Sequence, residues 1–315
     1  MKHRMFRRSL PTMLLSLVLC TGHAQDNYGF TQFDVSGSPE AQQVFLRGLL
    51  QLHNFEYPDA RASFQEALDI DPEITMAYWG EALSYEHSFW RRYETEKSKA
   101  VLNRLGRTPE ARADRMKTQR ERDYLATIEA LFGEGTQDER DDAYSEALRG
   151  LHEKYPEDLD AAAFYALSIL VTSRGRNIPN YMRAGAITEE ILDKNPLHPG
   201  GLHYNIHSYD DPVHAPLGLR AARNYNKVAP SAIHALHMGS HIYYALGMWE
   251  QGVERNTRSF EEAVARQASP DDPYGNQAYH ALTWIPYGLQ QMDARERARA
   301  HIEQIAKQAA AYPDQ

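Results

Sequence analysis

The chain has 315 residues, one cysteine and a formal net charge of −9, from 34 Lys and Arg against 43 Asp and Glu. This acidic balance argues against nucleic acid or an anionic membrane as a partner. The single cysteine, Cys20, leaves no disulfide and no thiolate ligand for the rest of the chain, so a metal site there requires His, carboxylate, Tyr or Met side chains.

The N-terminus has the pattern of an export signal. Four basic residues and no acid precede Ala24, and an apolar run covers residues 13–20. This run is shorter than the roughly 20 apolar residues of a membrane span. We therefore predict a signal peptide at residues 1–24 and a periplasmic or secreted protein with no membrane span. The general secretory route is expected, and Arg7-Arg8 leaves the twin-arginine route as an alternative.

A helical repeat begins after residues 25–39, which are predicted to be an exposed lead-in. Residues 41–72 show helical spacing, a break near residues 54–58, a second helix and a closing Pro72. Gly48, Ala60, Phe64 and Ala67 within this stretch match the tetratricopeptide (TPR) pattern of two antiparallel helices per roughly 34 residues.

The pattern recurs along the chain. Similar helical stretches follow Pro72, Pro156, Pro196, Pro230 and Pro273, and Pro196 and Pro230 are 34 residues apart. This spacing predicts an all-α, TPR-like helical solenoid of about ten to twelve helices, in which antiparallel pairs form a right-handed superhelix. We assign residues 40–315 to one such domain.

Residues 91–155 depart from this register. Residues 109–132 are predicted to form one long charged helix, and residues 138–155 its partner. The charges are most simply a solvated face of this variant repeat.

Histidines recur at equivalent places in the repeats. The seventh and eleventh residues after Pro196 are His203 and His207, and the same count after Pro230 gives His237 and His241. After Pro273 it gives His280 and Trp284, and His234 shares the face of His237. The count after Pro72 or Pro156 reaches no histidine, so the fold itself does not require one.

This spacing favours a transition-metal site on the concave face. Histidines four residues apart share one face of a helix, and packed helix axes lie about 8–10 Å apart, so side chains from adjacent helices can meet at one ion. Imidazole suits Cu, Zn or Fe. The predicted ligands are His203, His207, His237 and His241, with His234 or His280 as auxiliary ligands. Asp210, Asp211 and Tyr244 are candidates for an oxygen ligand or for hydrogen bonds to the histidines.

The remaining histidines receive less weight. His53 is predicted to lie in a solvated loop, and His198 and His214 in loops that flank the cluster. We leave these three out of the predicted site.

Three segments carry a resemblance to known proteins. They are LLQLHNFEYPDARASFQEALDIDPEITMAYWGEAL, HPGGLHYNIHSYDDP and APSAIHALHMGSHIYYALGMW, which together resemble a group of bacterial TPR proteins with a His-x3-His segment followed by a His-x2-His-Met-x-Ser-His-Ile segment. The resemblance implies the TPR fold and a His-rich groove, without a reaction. Gly239 stands where the group has proline, a change expected to loosen the start of a helix.

Three functions stay open at this point. The first is an exported protein that binds a transition metal in a His-rich groove. The second is a metal-free adaptor that binds a peptide or partner protein in the same groove. The third is a metal-dependent enzyme of unknown substrate. The chain has no phosphate-binding loop, no His-Glu-x2-His motif and no Gly-x-Ser-x-Gly motif, so it offers no support for nucleotide hydrolysis or for the common hydrolase mechanisms.

Overall fold

The computed structural model describes residues 27–266 and 274–311 of the chain. The expected signal peptide, residues 1–24, lies outside the described residues. Fifteen α-helices and one short hairpin make up the described part, in the order α1 Pro39–His53, α2 Tyr57–Ile70, α3 Met76–Leu83, β1 Glu86–His87, a 3-10 turn Ser88–Trp90, β2 Arg92–Tyr93, α4 Thr95–Leu105, α5 Pro109–Arg115, α6 Gln119–Leu131, α7 Gln137–Lys154, α8 Leu159–Thr172, α9 Ile178–Lys194, α10 Pro199–Tyr209, α11 Ala215–Val228, α12 Ile233–Ala245, α13 Trp249–Arg266, α14 Tyr274–Gln291 and α15 Arg295–Ala311.

The helices form an all-α, TPR-like solenoid, as the sequence predicted. Each helix packs against the next one along the chain, as α8 does against α9 and α10 against α11. The first helices of successive repeats also contact one another, in the row α8, α10, α12 and α14. Equivalent positions on these helices are therefore neighbours in space, which is the condition for the histidine row.

The predicted long charged helix over residues 109–132 is wrong. The chain breaks between Arg115 and Gln119, and Thr118 caps the new helix α6: its hydroxyl accepts the backbone N–H of Glu121, and the Glu121 carboxylate accepts that of Thr118. Such a capping box starts a helix because it satisfies N–H groups that have no partner within the helix. With the region of residues 95–154 divided into α4 to α7, the described residues hold more helices than the ten to twelve expected.

The lead-in is not the exposed segment that the sequence suggested. Within residues 27–38, Thr31, Phe33 and Val35 are buried and alternate with exposed residues, because the segment is extended. The Phe33 ring packs against Phe45 and Tyr124, with ring centroids 5.6 and 5.1 Å away. The backbone N–H of Phe30 donates to the Leu197 carbonyl at 3.0 Å, next to the start of α10. The lead-in thus ties the first helices to the histidine region.

The core between the helices is apolar and tightly packed. Phe64 and Trp79 are fully buried, and a Cβ on Gly80 would lie 2.4 Å from the Phe64 ring. Only glycine lets these helices approach so closely. Among the described helices, none combines the length and the apolar composition that crossing a bilayer requires.

Candidate metal centre

Three neighbouring helices carry the predicted ligands. His203 and His207 lie one turn apart on α10, and α12 carries His234, His237 and His241. His280 lies on α14, one turn before Trp284. Because α12 packs against both α10 and α14, its histidines are shared between the two contacts.

The six rings form two groups of three rather than one group around a single ion. We call them the inner cluster, His203, His207 and His234, and the outer cluster, His237, His241 and His280. Within each cluster the three candidate ligand atoms lie within 4.8 Å of one another. Between the clusters the closest ring centroids are 6.1 Å apart, from His234 to His237, and 6.3 Å apart, from His207 to His241.

The spacing of the ring nitrogens fits metal coordination. Nε2 of His203 lies 3.1 and 3.0 Å from the Nε2 atoms of the other two inner histidines. Nε2 of His237 lies 2.9 and 3.1 Å from those of its two outer partners. Two nitrogens about 2.05 Å from one ion, at a tetrahedral angle, are about 3.3 Å apart. The observed distances are within about 0.5 Å of that value.

Hydrogen bonds fix the tautomers of the outer cluster. His237 Nδ1 donates to Asn256 Oδ1 at 2.5 Å, while the Asn256 amide nitrogen donates to the Gly252 carbonyl at 3.0 Å. His241 Nδ1 donates to Asp210 Oδ2 at 2.8 Å. With its proton on Nδ1, His237 presents a lone pair on Nε2, and the neutral form of His241 presents its lone pair on Nε2 as well. Two lone pairs that face each other at 2.9 Å repel unless a cation lies between them.

A hydrogen bond also fixes a tautomer in the inner cluster. His203 Nδ1 donates to the backbone carbonyl of His53 at 2.7 Å, so His203 Nε2 also presents a lone pair. A single lone pair can accept one hydrogen bond in line, yet both His207 and His234 bring Nε2 to about 3 Å from it. A shared cation would satisfy all three nitrogens at once.

Burial keeps five of the six rings neutral, and the neutral ring is the form that binds metal. It lowers the pKa of His203 to about 3 and the pKa values of His207, His234 and His237 well below the usual range. His280 is exposed at the surface, although its partial burial among the neighbouring rings lowers its pKa to about 4. These five rings therefore do not need to lose a proton near neutral pH before they coordinate a metal.

The inner cluster lies beneath an aromatic cover instead of in an open groove. The Phe89 ring lies tilted against the His207 ring, with ring centroids 4.0 Å apart, and the Trp90 ring centroid lies 5.5 Å from that of His234. Both belong to the hairpin of residues 86–93, which the sequence analysis did not predict. His203 is fully buried and His207 is 5% exposed, whereas the outer cluster reaches the surface at His280.

Phe55 completes the wall of the inner cluster at some conformational cost. Its ring centroid lies 4.3 Å from that of His203 and 5.4 Å from that of His234. Its φ is 59°, in the left-handed region that bulky residues avoid. Such backbone strain costs about 1–3 kcal/mol and is typical of functional sites. The ring is thus held against the histidines despite an unfavourable backbone.

Two contacts position α12, which supplies ligands to both clusters. Ala232 at its start forms no side-chain cap, and Glu56 Oε1 instead accepts the backbone N–H of His234 at 3.2 Å. Burial raises the pKa of Glu56 to about 8. A Cβ on Gly239 would lie 2.9 Å from the Ala222 carbonyl of α11. Gly239 is in the interior of α12, so the expected loosening of a helix start is wrong. The residue permits close packing instead.

The structure contains a third histidine group that the sequence did not predict. His53, the last residue of α1, and His198, which caps α10, are fully buried beside Asp160 of α8. The prediction of a solvated loop for His53 is therefore wrong. It fails because α1 contacts α10, a contact between distant repeats that residue spacing does not show.

Hydrogen bonds to Asp160 hold most of this third group together. His198 Nδ1 accepts the backbone N–H of Gly201, so its Nε2 carries the proton; this Nε2 lies 3.4 Å from Asp160 Oδ1 and has no hydrogen-bond partner among the described residues. His53 Nε2 lies 2.9 Å from the same oxygen, and Thr31 donates to Asp160 Oδ2 at 2.7 Å. Burial alone would raise the pKa of Asp160, but its interactions with the two histidines outweigh burial and hold that pKa low.

The three residues predicted to supply an oxygen ligand or a hydrogen bond to the histidines have different hydrogen-bond partners. Asp210 is bonded to a ligand ring, as described, whereas Asp211 accepts from His214 Nδ1 at 2.8 Å and from Arg176 at 2.6 Å. The Tyr244 hydroxyl donates to the Trp284 carbonyl at 3.1 Å. Of these candidates, Asp210 is the one that supports a cluster directly.

Comparisons with known proteins concern the fold only. No protein-family profile and no curated protein sequence matches the chain. Residues 41 to the end of MamA from Desulfovibrio magneticus RS-1 form a similar solved structure, with 12% identity and a TM-score of 0.48 over 62% of this chain and 97% of that one. A human IFIT1 dimer with m7Gppp-AAAA shows 13% identity and a TM-score of 0.37 over 90% of this chain and 70% of that one. Neither similarity bears on the histidines.

Proposed function

We propose that the protein binds two transition-metal ions, one in the inner cluster and one in the outer cluster. The observation that carries this proposal is the convergence of the six Nε2 atoms while hydrogen bonds hold the Nδ1 protons of His203, His237 and His241. Hydrogen bonds of this kind to the second ring nitrogen orient histidine ligands and increase their basicity.

The donor set limits the metal. Neutral imidazole nitrogens suit Zn, Cu, Fe or Ni, and neither cluster includes a carboxylate ligand of the kind that Mg or Ca prefers. Three protein ligands leave a coordination position for water or another ligand. The outer cluster reaches the surface, so an exchangeable ligand and metal-dependent catalysis would be sited there.

A protein-binding adaptor is the second candidate, and the TPR-like fold itself favours it. The inner histidines do not serve this function well, because they lie beneath Phe89 and Trp90 and offer little surface to a partner. An adaptor would use other parts of the solenoid face.

We also propose export to the periplasm or the medium through residues 1–24, on the basis of the basic and apolar pattern of this segment. N-terminal sequencing of protein recovered from the periplasm should begin at Gln25. Recovery of the uncut chain from the cytoplasm alone would contradict export.

Elemental analysis tests the metal proposal. After loading with excess Zn or Cu and removal of free ion, the wild-type protein should hold two ions per chain. His203→Ala and His237→Ala should each hold one, and His214→Ala, whose ring bonds to Asp211 outside both clusters, should hold two. Circular dichroism in the presence of a chelator verifies that each variant is folded.

The possible results separate the alternatives. Loss of all metal in either single variant would indicate one ion shared by both clusters. A wild-type protein that takes up no ion would refute the metal proposal and favour the adaptor.

A further inference from the structure

A small pocket adjoins the inner cluster through two shared rings. Phe55 and Phe89 both line the pocket and both contact inner-cluster histidines. The hydroxyl of Tyr204, also on the lining, lies 3.0 Å from His53 Nδ1. The pocket is distinct from the clusters, because none of the six candidate ligands lines it.

The walls of the pocket are mainly aromatic and aliphatic, and the space between them suits only a small ligand. Six rings face it, those of Phe55, Tyr57, Phe89, Tyr144, Phe164 and Tyr204. The faces of aromatic rings attract cations through the ring quadrupole. The lining is therefore compatible with an apolar group and also with a positive charge.

One carboxylate in this lining lacks a complete set of partners. Glu86 is 3% exposed, and its Oε1 accepts from Ser98 Oγ at 3.3 Å. Its Oε2 is buried without a hydrogen-bond partner among the residues that the structure describes. Burying a charged oxygen without a hydrogen-bond partner raises the free energy of the folded protein. Burial accordingly raises the pKa of Glu86 to about 7.

A second carboxylate makes the pocket more negative. Asp141 also lines it and is 3% exposed, with oxygens that accept from Tyr93 and Gln137. No described residue of the lining carries a positive charge. Arg140, outside the lining, lowers the pKa of Glu86, but by less than burial raises it.

We propose that this pocket binds a small primary alkylammonium ion. The ammonium group would donate one N–H to Glu86 Oε2 and another towards Asp141, while the rings accommodate the alkyl group and attract the charge. The proposal rests on Glu86, Asp141 and the rings, and it does not depend on metal in either cluster.

Ligand-observed saturation-transfer NMR with ethylammonium tests this site, with ethanol as the neutral analogue of the same size. Since a ligand with so few non-hydrogen atoms makes few contacts, we expect millimolar binding. Glu86→Gln keeps the size of the side chain and should weaken ethylammonium binding at least tenfold. The exposed Glu190→Gln is the matched control and should leave binding unchanged.

A second variant guards against a folding artefact at Glu86. Val171→Phe fills the pocket from the end of α8 without altering either carboxylate, and it should abolish transfer to ethylammonium. The measurements are made on both the chelator-treated and the metal-loaded protein, and binding should be equal in the two.

Three results would overturn the proposal. These are equal binding of ethanol and ethylammonium, full competition by potassium at equal concentration, and unchanged binding in Glu86→Gln. A protein that binds ethylammonium but no metal would leave this site standing while the metal proposal fails.

Discussion

Asp210→Asn isolates the electrostatic support of the outer cluster. Asparagine keeps an oxygen that can accept the hydrogen bond from His241 Nδ1, now 2.8 Å from Asp210 Oδ2, so the substitution mainly removes a negative charge. With an ion about 2.1 Å beyond Nε2, the carboxylate would lie roughly 6–7 Å from it. The Asp210 side chain is 31% exposed, so an effective dielectric constant of about 40 is appropriate.

Coulomb's law then gives the size of the effect. A divalent ion and one negative charge at this distance and dielectric constant attract by about 2–3 kcal/mol. We expect the affinity of the outer cluster to fall by about 30–150-fold, close to the loss that is common when a partner of a ligand histidine is changed. The affinity of the inner cluster should stay the same.

Asp211→Asn is the matched control, because the neighbouring carboxylate binds His214 and Arg176 and no cluster ligand. Competition titrations with a chromophoric chelator, resolved into two sites, measure both affinities. The loss in Asp210→Asn should shrink in high salt, since the carboxylate is partly exposed to solvent. An equal loss in both aspartate variants, or a loss at the inner cluster, would refute the reasoning.

Three further predictions concern stability. The metal-free protein should lose stability as the pH falls below about 6.5, because histidines of the unfolded chain bind protons there. Folded His203, whose pKa is about 3, does not. Circular dichroism titrations should show that bound metal moves the acid midpoint of unfolding to lower pH. Gly80→Ala should lower the free energy of unfolding by about 1–3 kcal/mol through contact with Phe64, whereas Gly150→Ala, with open space around it in α7, should raise it by up to about 1 kcal/mol. Phe33→Ala should cost about 3–5 kcal/mol in urea unfolding; a loss below 1 kcal/mol would contradict the role of the lead-in.

Repeat spacing was sufficient to predict the solenoid and the placement of four histidines on neighbouring helices. It works because each repeat packs mainly on the next, so equivalent residues become neighbours. The same count reached His280 on α14. It did not show that α12 divides its histidines between two partners, because that depends on how the side chains of three helices meet.

Contacts between distant parts of the chain explain the remaining errors. His53 meets Asp160 and His198 because α1 reaches α10, and neither periodicity nor composition reports such a contact. The break before α6 was accessible from the sequence, since Thr118 and Glu121 have the spacing of a capping box. The short hairpin of residues 86–93 has no such signal, as its strands are two residues each.

The sharing of α12 links the two clusters thermodynamically. Of its histidines, His234 joins the two from α10 in the inner cluster, whereas His237 and His241 join the one from α14 in the outer cluster. If the clusters bind metal as proposed, an ion in either one would restrict the motion of α12, and the entropic cost of that restriction would be incurred once. A second ion would then meet a helix that is already ordered, and the first ion would favour its binding. Occupancy should rise more steeply with metal concentration than for two independent sites, so that chains with two ions prevail over chains with one.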